Sequence, residues 1–248
     1  MGRFPKRGGN GLTRSEVTHC KTCGNTEVEY LQALQDRIEE LKIERDYTRH
    51  KNKKVTKIAA KNTVLVIGGG SSTYKYYDEI KRFKGKLIAT EMIFNKMVGD
   101  GIIPDYVATL EKWVNPKYFT TENLKICLNK TKFICSSITR EVVMLHLREH
   151  EYKPYRWITH DEPRMSNVGL FGVCYAKQVL EADKICILGF EHEGTGYEQI
   201  IYQEWVVDFW HFIERWDKNI IVNCSNGGKL YNDYTLDSTL KRLKIETN

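Results

Sequence analysis

From Asn62 to Asn223 the chain alternates short unbroken apolar runs with longer stretches whose apolar residues recur every three or four positions. Val64, Leu65, Val66 and Ile67 form the clearest run. Four consecutive aliphatic side chains leave no polar face, so the run predicts a strand buried on both sides. Similar runs predict strands over residues 86–90, 106–110, 132–137, 156–159, 184–188 and 219–223. The intervening periodicity predicts helices over residues 74–83, 93–98, 140–150, 167–180 and 198–216. The helix over 167–180 carries Gly169, Gly172 and Ala176, small residues suited to close packing on a sheet. Strands alternating with helices predict an α/β fold, a doubly wound and mostly parallel sheet over residues 62–248.

Upstream the pattern changes. Residues 26–50 read as a helix opened by Thr26, with Glu27 and Glu29 in its first turn. Leu31, Leu34, Ile38 and Leu41 step by three, four and three, a heptad seam of about two repeats. This predicts an N-terminal helical extension, either a short coiled coil joining a homo-oligomer through residues 26–45 or a helix laid against the main domain. Residues 1–25 read as a basic flexible tail, and residues 26–61 as the helix and a basic linker.

Charge sharpens this division. Residues 1–62 hold 14 Lys and Arg against 8 Asp and Glu, which is the whole net charge of +6; residues 63–248 balance at 24 of each. A basic nucleic-acid groove across the main domain is therefore not expected. The basic arm could touch an acidic partner, RNA or an anionic membrane surface, or be a solvated tail. No apolar run approaches the ~20 residues of a membrane span, and the glycine-rich start has no secretory core. A cytoplasmic protein is expected, with Cys127, Cys135, Cys174, Cys186 and Cys224 as reduced core residues.

The candidate chemistry gathers at strand ends. Gly68, Gly69 and Gly70 follow the first strand at once, then Ser71 and Ser72. Glycines let the chain turn sharply and let N–H groups face an anion, and the hydroxyls can cap the next helix or donate to phosphate oxygens; the simpler reading is a tight turn without a ligand. Glu91, Glu111 and the Glu191–His192 pair each end a strand, where open parallel sheets bind ligands. Ser166 and Asn167 begin a helix, and Asn223 and Asn226 follow the last strand. In the tail, Cys20 and Cys23 form a Cys-x-x-Cys beside His19, one half of a zinc site or a redox pair. The chain has no second Cys-x-x-Cys, so a Zn²⁺ site would need two chains.

Six of these motifs, in this order, are similar to the family of 6-hydroxymethylpterin diphosphokinase-like (MptE-like) domains and motility accessory factors, and more distantly to Rossmann-type sialyltransferases. The resemblance runs from Thr63 to about Tyr231. It rests on the glycine turn Gly68–Ser72, the strand ending at Glu91, Gly101-Ile-Ile-Pro-Asp-Tyr-Val107, Ser166-Asn-Val-Gly169, the strand ending at Gly189-Phe-Glu191, and Asn223-Cys-Ser-Asn-Gly-Gly228. It implies a Rossmann-like sheet, a bound nucleotide or nucleotide sugar, and transferase activity. Three positions that carry Asp in the family are Glu here, namely Glu91, Glu111 and Glu191. The Asp-Leu-Asp-Gly stretch of the diphosphokinase branch reads Thr109-Leu-Glu-Lys112.

The leading expectation is a nucleotide-dependent transferase, most simply a glycosyltransferase with a CMP-sugar-like donor. Gly68, Gly69, Gly70, Ser71 and Ser72 would hold phosphate, and Ser166, Asn167, Glu91, Asn223 and Asn226 would line the nucleotide site. Glu191, His192 or Glu111 would supply the base. A second expectation is pyrophosphoryl transfer from ATP to a pterin-like alcohol, with Mg²⁺ held by Glu91, Glu111 and Asp105. A third is an inactive nucleotide-binding or structural module held in an oligomer.

Overall fold

The computed structural model describes residues 32, 35–39, 62–112, 114, 118–158, 167–191 and 220–225. Among the described residues the sheet has seven strands: β1 (Thr63–Ile67), β2 (Lys86–Thr90), β3 (Tyr106–Thr109), β4 (Lys132–Cys135), β5 (Tyr155–Arg156), β6 (Lys184–Leu188) and β7 (Ile221–Asn223). Six come from the apolar runs; β5 is two exposed residues that open one position before the run expected over 156–159 and stop at Arg156. They pair in the order β5-β4-β3-β2-β1-β6-β7, and every described pairing is parallel. β1 is an inner strand, with Val66 opposite Ile88 of β2 on one side and Ile187 of β6 on the other. All five of its residues are buried, as expected of a strand covered on both faces.

Among the described residues six helices lie between the strands: α1 (Ser71–Lys75), α2 (Tyr77–Arg82), α3 (Glu91–Gly99), α4 (Thr121–Cys127), α5 (Glu141–Glu149) and α6 (Val168–Gln178). Alternate strand residues serve opposite faces. Val64, Val66, Ile88, Ala108, Ile134, Ile185 and Ile187 pack against Leu170, Phe171 and Cys174 of α6. Leu65, Ile67, Ala89 and Leu188 pack against Ile80 of α2 and Ile93 and Met97 of α3. Val107 and Phe133 meet Phe94 of α3, Leu124 of α4 and Val143 of α5. The sheet is thus doubly wound and Rossmann-like, as the alternation predicted.

Close approach of α6 depends on its glycines. A Cβ at Gly172 would lie 3.1 Å from Val66 Cγ1, and one at Gly169 would lie 1.8 Å from Phe190 Cε1. α6 contains Tyr175, whose hydroxyl is pushed up to about 12, chiefly by burial. The helical residues 35–39 bring Ile38, fully buried, into the cluster on the α6 face. At that residue the heptad seam is laid against the domain. The rest of the seam, Leu31, Leu34 and Leu41, lies outside the described residues, as do Cys20, Cys23 and the helix expected over 198–216.

Two helical expectations change. The helix predicted over 74–83 is split, because Tyr76, at φ −118° and ψ 23°, leaves helical geometry between α1 and α2. Helix α4 was not anticipated. Thr120 caps it by accepting from the Asn123 N–H at 3.4 Å, and only Leu124 and Cys127 bury a side chain. Among the described residues no helix is long and apolar enough to cross a membrane.

Candidate functional site

The strand order reverses between β1 and β6. Strands β1 to β5 step outward on one side, and β6 returns to the other flank of β1. Crevices open at such switch points, outside the carboxyl ends of the strands. The ends that meet here are Gly68–Ser72 after β1 and Gly189–Glu191 after β6.

The two ends are laced together. Gly68 N–H donates to Leu188 O at 2.8 Å, and Gly70 N–H donates to Gly189 O at 3.0 Å. Thr73 Oγ1 donates back to Gly68 O at 2.9 Å. Gly189 N–H donates to Ser72 Oγ at 3.2 Å. Gly189 has φ +80°, and a Cβ there would meet Thr73 Oγ1 at 2.2 Å, so both backbone and space require glycine. β7 supports the same corner: Asn223 Oδ1 accepts from Ser225 N–H at 3.0 Å, and Ser225 Oγ accepts from Phe190 N–H at 3.0 Å. Asn223 is therefore engaged in an Asx turn that holds Phe190.

Glu191 turns back into the glycine turn. Its Oε1 accepts from Ser72 N–H at 2.8 Å. A Cβ on Gly70 would lie 1.5 Å from its Oε2. Ser72 is fully buried, with both its N–H and its hydroxyl taken by protein partners. The turn amides expected to face a phosphate are thus largely spent: Gly68, Gly70, Ser72 and Thr73 all donate internally. Gly69 and Ser71 remain exposed. Beside Gly69 lies Met92, 53 % exposed, and Tyr74 on α1 is 49 % exposed, so the rim is apolar.

Asn167 caps α6, its Oδ1 accepting from Leu170 N–H at 2.8 Å. That bond fixes the amide orientation and leaves Nδ2 as a donor. Gly169 and Gly68 both pack on Phe190 Cε1, so the start of α6, the end of β1 and the end of β6 converge on one ring.

A second group sits one and two strands away. Glu91 opens α3 directly after β2 and is 4 % exposed. Burial first, and the Glu111 carboxylate second, raise its carboxyl to about 8 against weaker help from Thr109 and backbone N–H groups. Glu111 follows β3; burial raises it too, and the Lys112 backbone opposes that. Thr109 Oγ1 accepts from Glu111 N–H at 3.1 Å, and Thr139 Oγ1 donates to Thr109 O at 2.9 Å. This Ser136–Thr139 corner after β4 was missed; its signal was the hydroxyl cluster at a strand end. Thr90 was missed as well.

Several of these buried side chains keep unmet hydrogen-bonding atoms: Glu91 Oε2, Thr90 Oγ1, Glu191 Oε2 and Asn167 Nδ2 have no partner. Buried polar atoms are rarely left so unless water or a ligand completes them. Asp105, expected as an Mg²⁺ ligand, lies elsewhere. It precedes β3, where its Oδ2 accepts from Leu87 N–H at 2.9 Å and its Oδ1 pairs with Lys86 at 3.3 Å. That is the amino end of the sheet, a strand length from Glu111, so Asp105 ties β2 to β3. Among the described residues no three His, Cys, Asp or Glu side chains form a metal cluster. Ser166, His192, Asn226, Cys20 and Cys23 lie outside the described residues.

Among known structures there is a likeness of fold. The MAf glycosyltransferase from Magnetospirillum magneticum AMB-1 superposes with a TM-score of 0.53 and 15% identity, over 75% of this chain and 37% of that protein. The likeness is one of fold, and the chain spans little more than a third of that protein's length. A protein from Lactobacillus plantarum superposes at a TM-score of 0.33 with 12% identity, over 58% of this chain and 54% of that one. No protein-family model and no curated protein matches the chain.

Proposed function

We propose that the chain is a glycosyltransferase that moves a sugar from a nucleotide-sugar donor to an acceptor hydroxyl at the carboxyl edge of the sheet. The observation that carries this reading is the set of enclosed, unpartnered polar atoms on Glu191 and Asn167 at the β1–β6 switch point and on Glu91 at the neighbouring strand end. An edge with such unmet capacity suits a ligand rich in hydroxyls. The Magnetospirillum protein, whose fold this chain shares in part, is a glycosyltransferase by name, and that suggests the reaction class; fold alone does not fix it.

In this reading the acceptor oxygen bonds to the anomeric carbon as the bond from that carbon to the donor phosphate oxygen breaks. The nucleotide leaves with the bonding pair, and the acceptor proton passes to a base. Glu111 suits that role best: its carboxylate is half-buried, its pKa is raised by burial, and it stands beside a second acid. Glu91, raised to about 8, keeps its proton at neutral pH and leaves the pair with one charge. Glu191 is already committed to Ser72 N–H.

The test is incubation of the full chain with CMP-, UDP- and GDP-sugars, following nucleotide release. Release that falls at least about a hundredfold with Glu111→Gln supports the reading; no release from any donor overturns it. A second reading, a domain that keeps the fold without turnover, is favoured by the internally spent amides of the glycine turn. Nucleotide binding without release would select it.

A further inference from the structure

The glycine turn has the sequence of a phosphate cradle and the hydrogen bonds of something else. A phosphate there would meet the Glu191 carboxylate, already seated on Ser72 N–H at 2.8 Å and lying where a Gly70 Cβ would be. Two anions cannot share that place without protonation or displacement. The glycine at position 70 is thus explained by the chain's own acid, with no external anion. What the corner lacks is a hydrogen-bond donor for Glu191 Oε2 and an acceptor for Asn167 Nδ2, on side chains 4 % and 5 % exposed.

We propose that Glu191 is a specificity-determining residue that reads a ligand hydroxyl, so that the switch-point corner takes the sugar part of its ligand and excludes phosphate from the glycine turn. A hydroxyl can both donate to a carboxylate and accept from an amide; a phosphate at neutral pH only accepts. Asn167, fixed by its cap to Leu170 N–H, supplies the donor on the same corner. Met92 and Tyr74 on the rim offer apolar surface for a ring face. This deepens the glycosyltransferase reading by naming the group recognised; it concerns binding alone and does not depend on turnover. The hydroxyl could belong to a ribose or to a hexose, and the experiment separates them.

The experiment measures binding to the full chain by calorimetry and by the unfolding midpoint, which any folded-state ligand raises. The probes are the four ribonucleosides, their 2′- and 3′-deoxy forms, glucose, galactose and N-acetylglucosamine, and inorganic pyrophosphate. A ribonucleoside or a sugar binds; if a ribonucleoside binds, one deoxy form loses about tenfold in affinity, which assigns the ribose. If only a free sugar binds, the hexose is assigned. Glu191→Gln keeps an oxygen for Ser72 N–H but replaces the second acceptor with a donor, and it lowers the affinity by about tenfold or more. Pyrophosphate does not bind. The proposal is overturned if pyrophosphate saturably raises the wild-type midpoint, if Glu191→Gln or both deoxy forms bind unchanged, or if no hydroxylated probe binds. The deoxy arms use unaltered protein, so a poorly folding variant leaves the test intact. Nucleoside binding through Glu191 with no sugar transfer upholds this inference and removes the transferase reading.

Discussion

Replacing Gly70 with alanine tests how the switch-point corner is built. Gly70 has φ −71° and ψ 166°, an extended conformation that any residue adopts, so the backbone does not demand glycine. Space does. An added Cβ would lie 1.5 Å from Glu191 Oε2, 2.7 Å from its Cδ and 2.8 Å from Gly189 O. The carboxylate must leave, which breaks the charge-assisted bond from Ser72 N–H, a loss of about 1.5–3 kcal/mol. The remaining approach to Gly189 O adds overpacking of about 1 kcal/mol. Gly70→Ala should therefore destabilise by about 2.5–4 kcal/mol. Glu191→Ala alone should destabilise by about 1.5–3 kcal/mol, because it strands the same buried N–H. In the double variant that bond is lost only once, and the new methyl keeps only its close approach to Gly189 O. Its destabilisation should fall about 1.5–3 kcal/mol short of the sum of the two single changes. Urea unfolding of the four proteins measures this directly. Additivity within about 0.5 kcal/mol would refute the steric account of Gly70, and with it the placement of Glu191.

The pH dependence of stability carries a signature of Glu91. Its folded pKa is raised from the ordinary 4.5 to about 8, so the folded state binds the proton more tightly than the unfolded one. Its contribution is full below pH 4.5, declines across the interval and is gone above about 8, a total on the order of 5 kcal/mol. Glu91→Gln should flatten the fall in unfolding midpoint between about pH 5 and 8; an unchanged slope would contradict the burial argument. Asp105→Asn should destabilise by about 1–2 kcal/mol through the lost Leu87 and Lys86 contacts, with ligand affinity unchanged; a fall in Mg²⁺-dependent binding would return Asp105 to the site. Gly169→Ala, facing Phe190 Cε1 at 1.8 Å, should lower the midpoint more than Gly172→Ala, which meets Val66 Cγ1 at 3.1 Å; the reverse order in thermal unfolding would contradict the close seating of α6 on the sheet. Cys135, buried and pushed up to about 12, should resist thiol reagents until the chain unfolds, as mass spectrometry of labelled protein would report.

The strands were legible because sheet burial writes itself locally. Val64 to Ile67 has no polar position to spare, and every one of those side chains is enclosed. Helix α4 was illegible for the converse reason: seven residues with two buried side chains make too short a stripe to register as a period. Tyr76 breaks a helix whose apolar spacing continues across it, so the break left no mark in the pattern. The site divides the same way. That Glu91, Glu111 and Glu191 lie at carboxyl ends followed from strand runs alone. Whether the glycine turn faces an anion depended on a residue 119 positions away. Glycines record that something approaches the backbone closely, and they do not record its charge. Here the approaching group is the chain's own carboxylate, which gives the corner the opposite electrostatic preference from the one its motif suggests. Glutamate at position 191 has the extra methylene that an aspartate would lack in reaching from the end of β6 to Ser72 N–H. Glu191→Asp is thus the sharpest discriminator between the two preferences. A shortened side chain that withdraws from Ser72 should weaken hydroxyl binding and free the N–H for an anion. Pyrophosphate binding that appears in Glu191→Asp and is absent from the wild type would show that side-chain length at this one position selects the ligand. Equal behaviour of the two proteins would mean that the turn's ligand preference is set elsewhere.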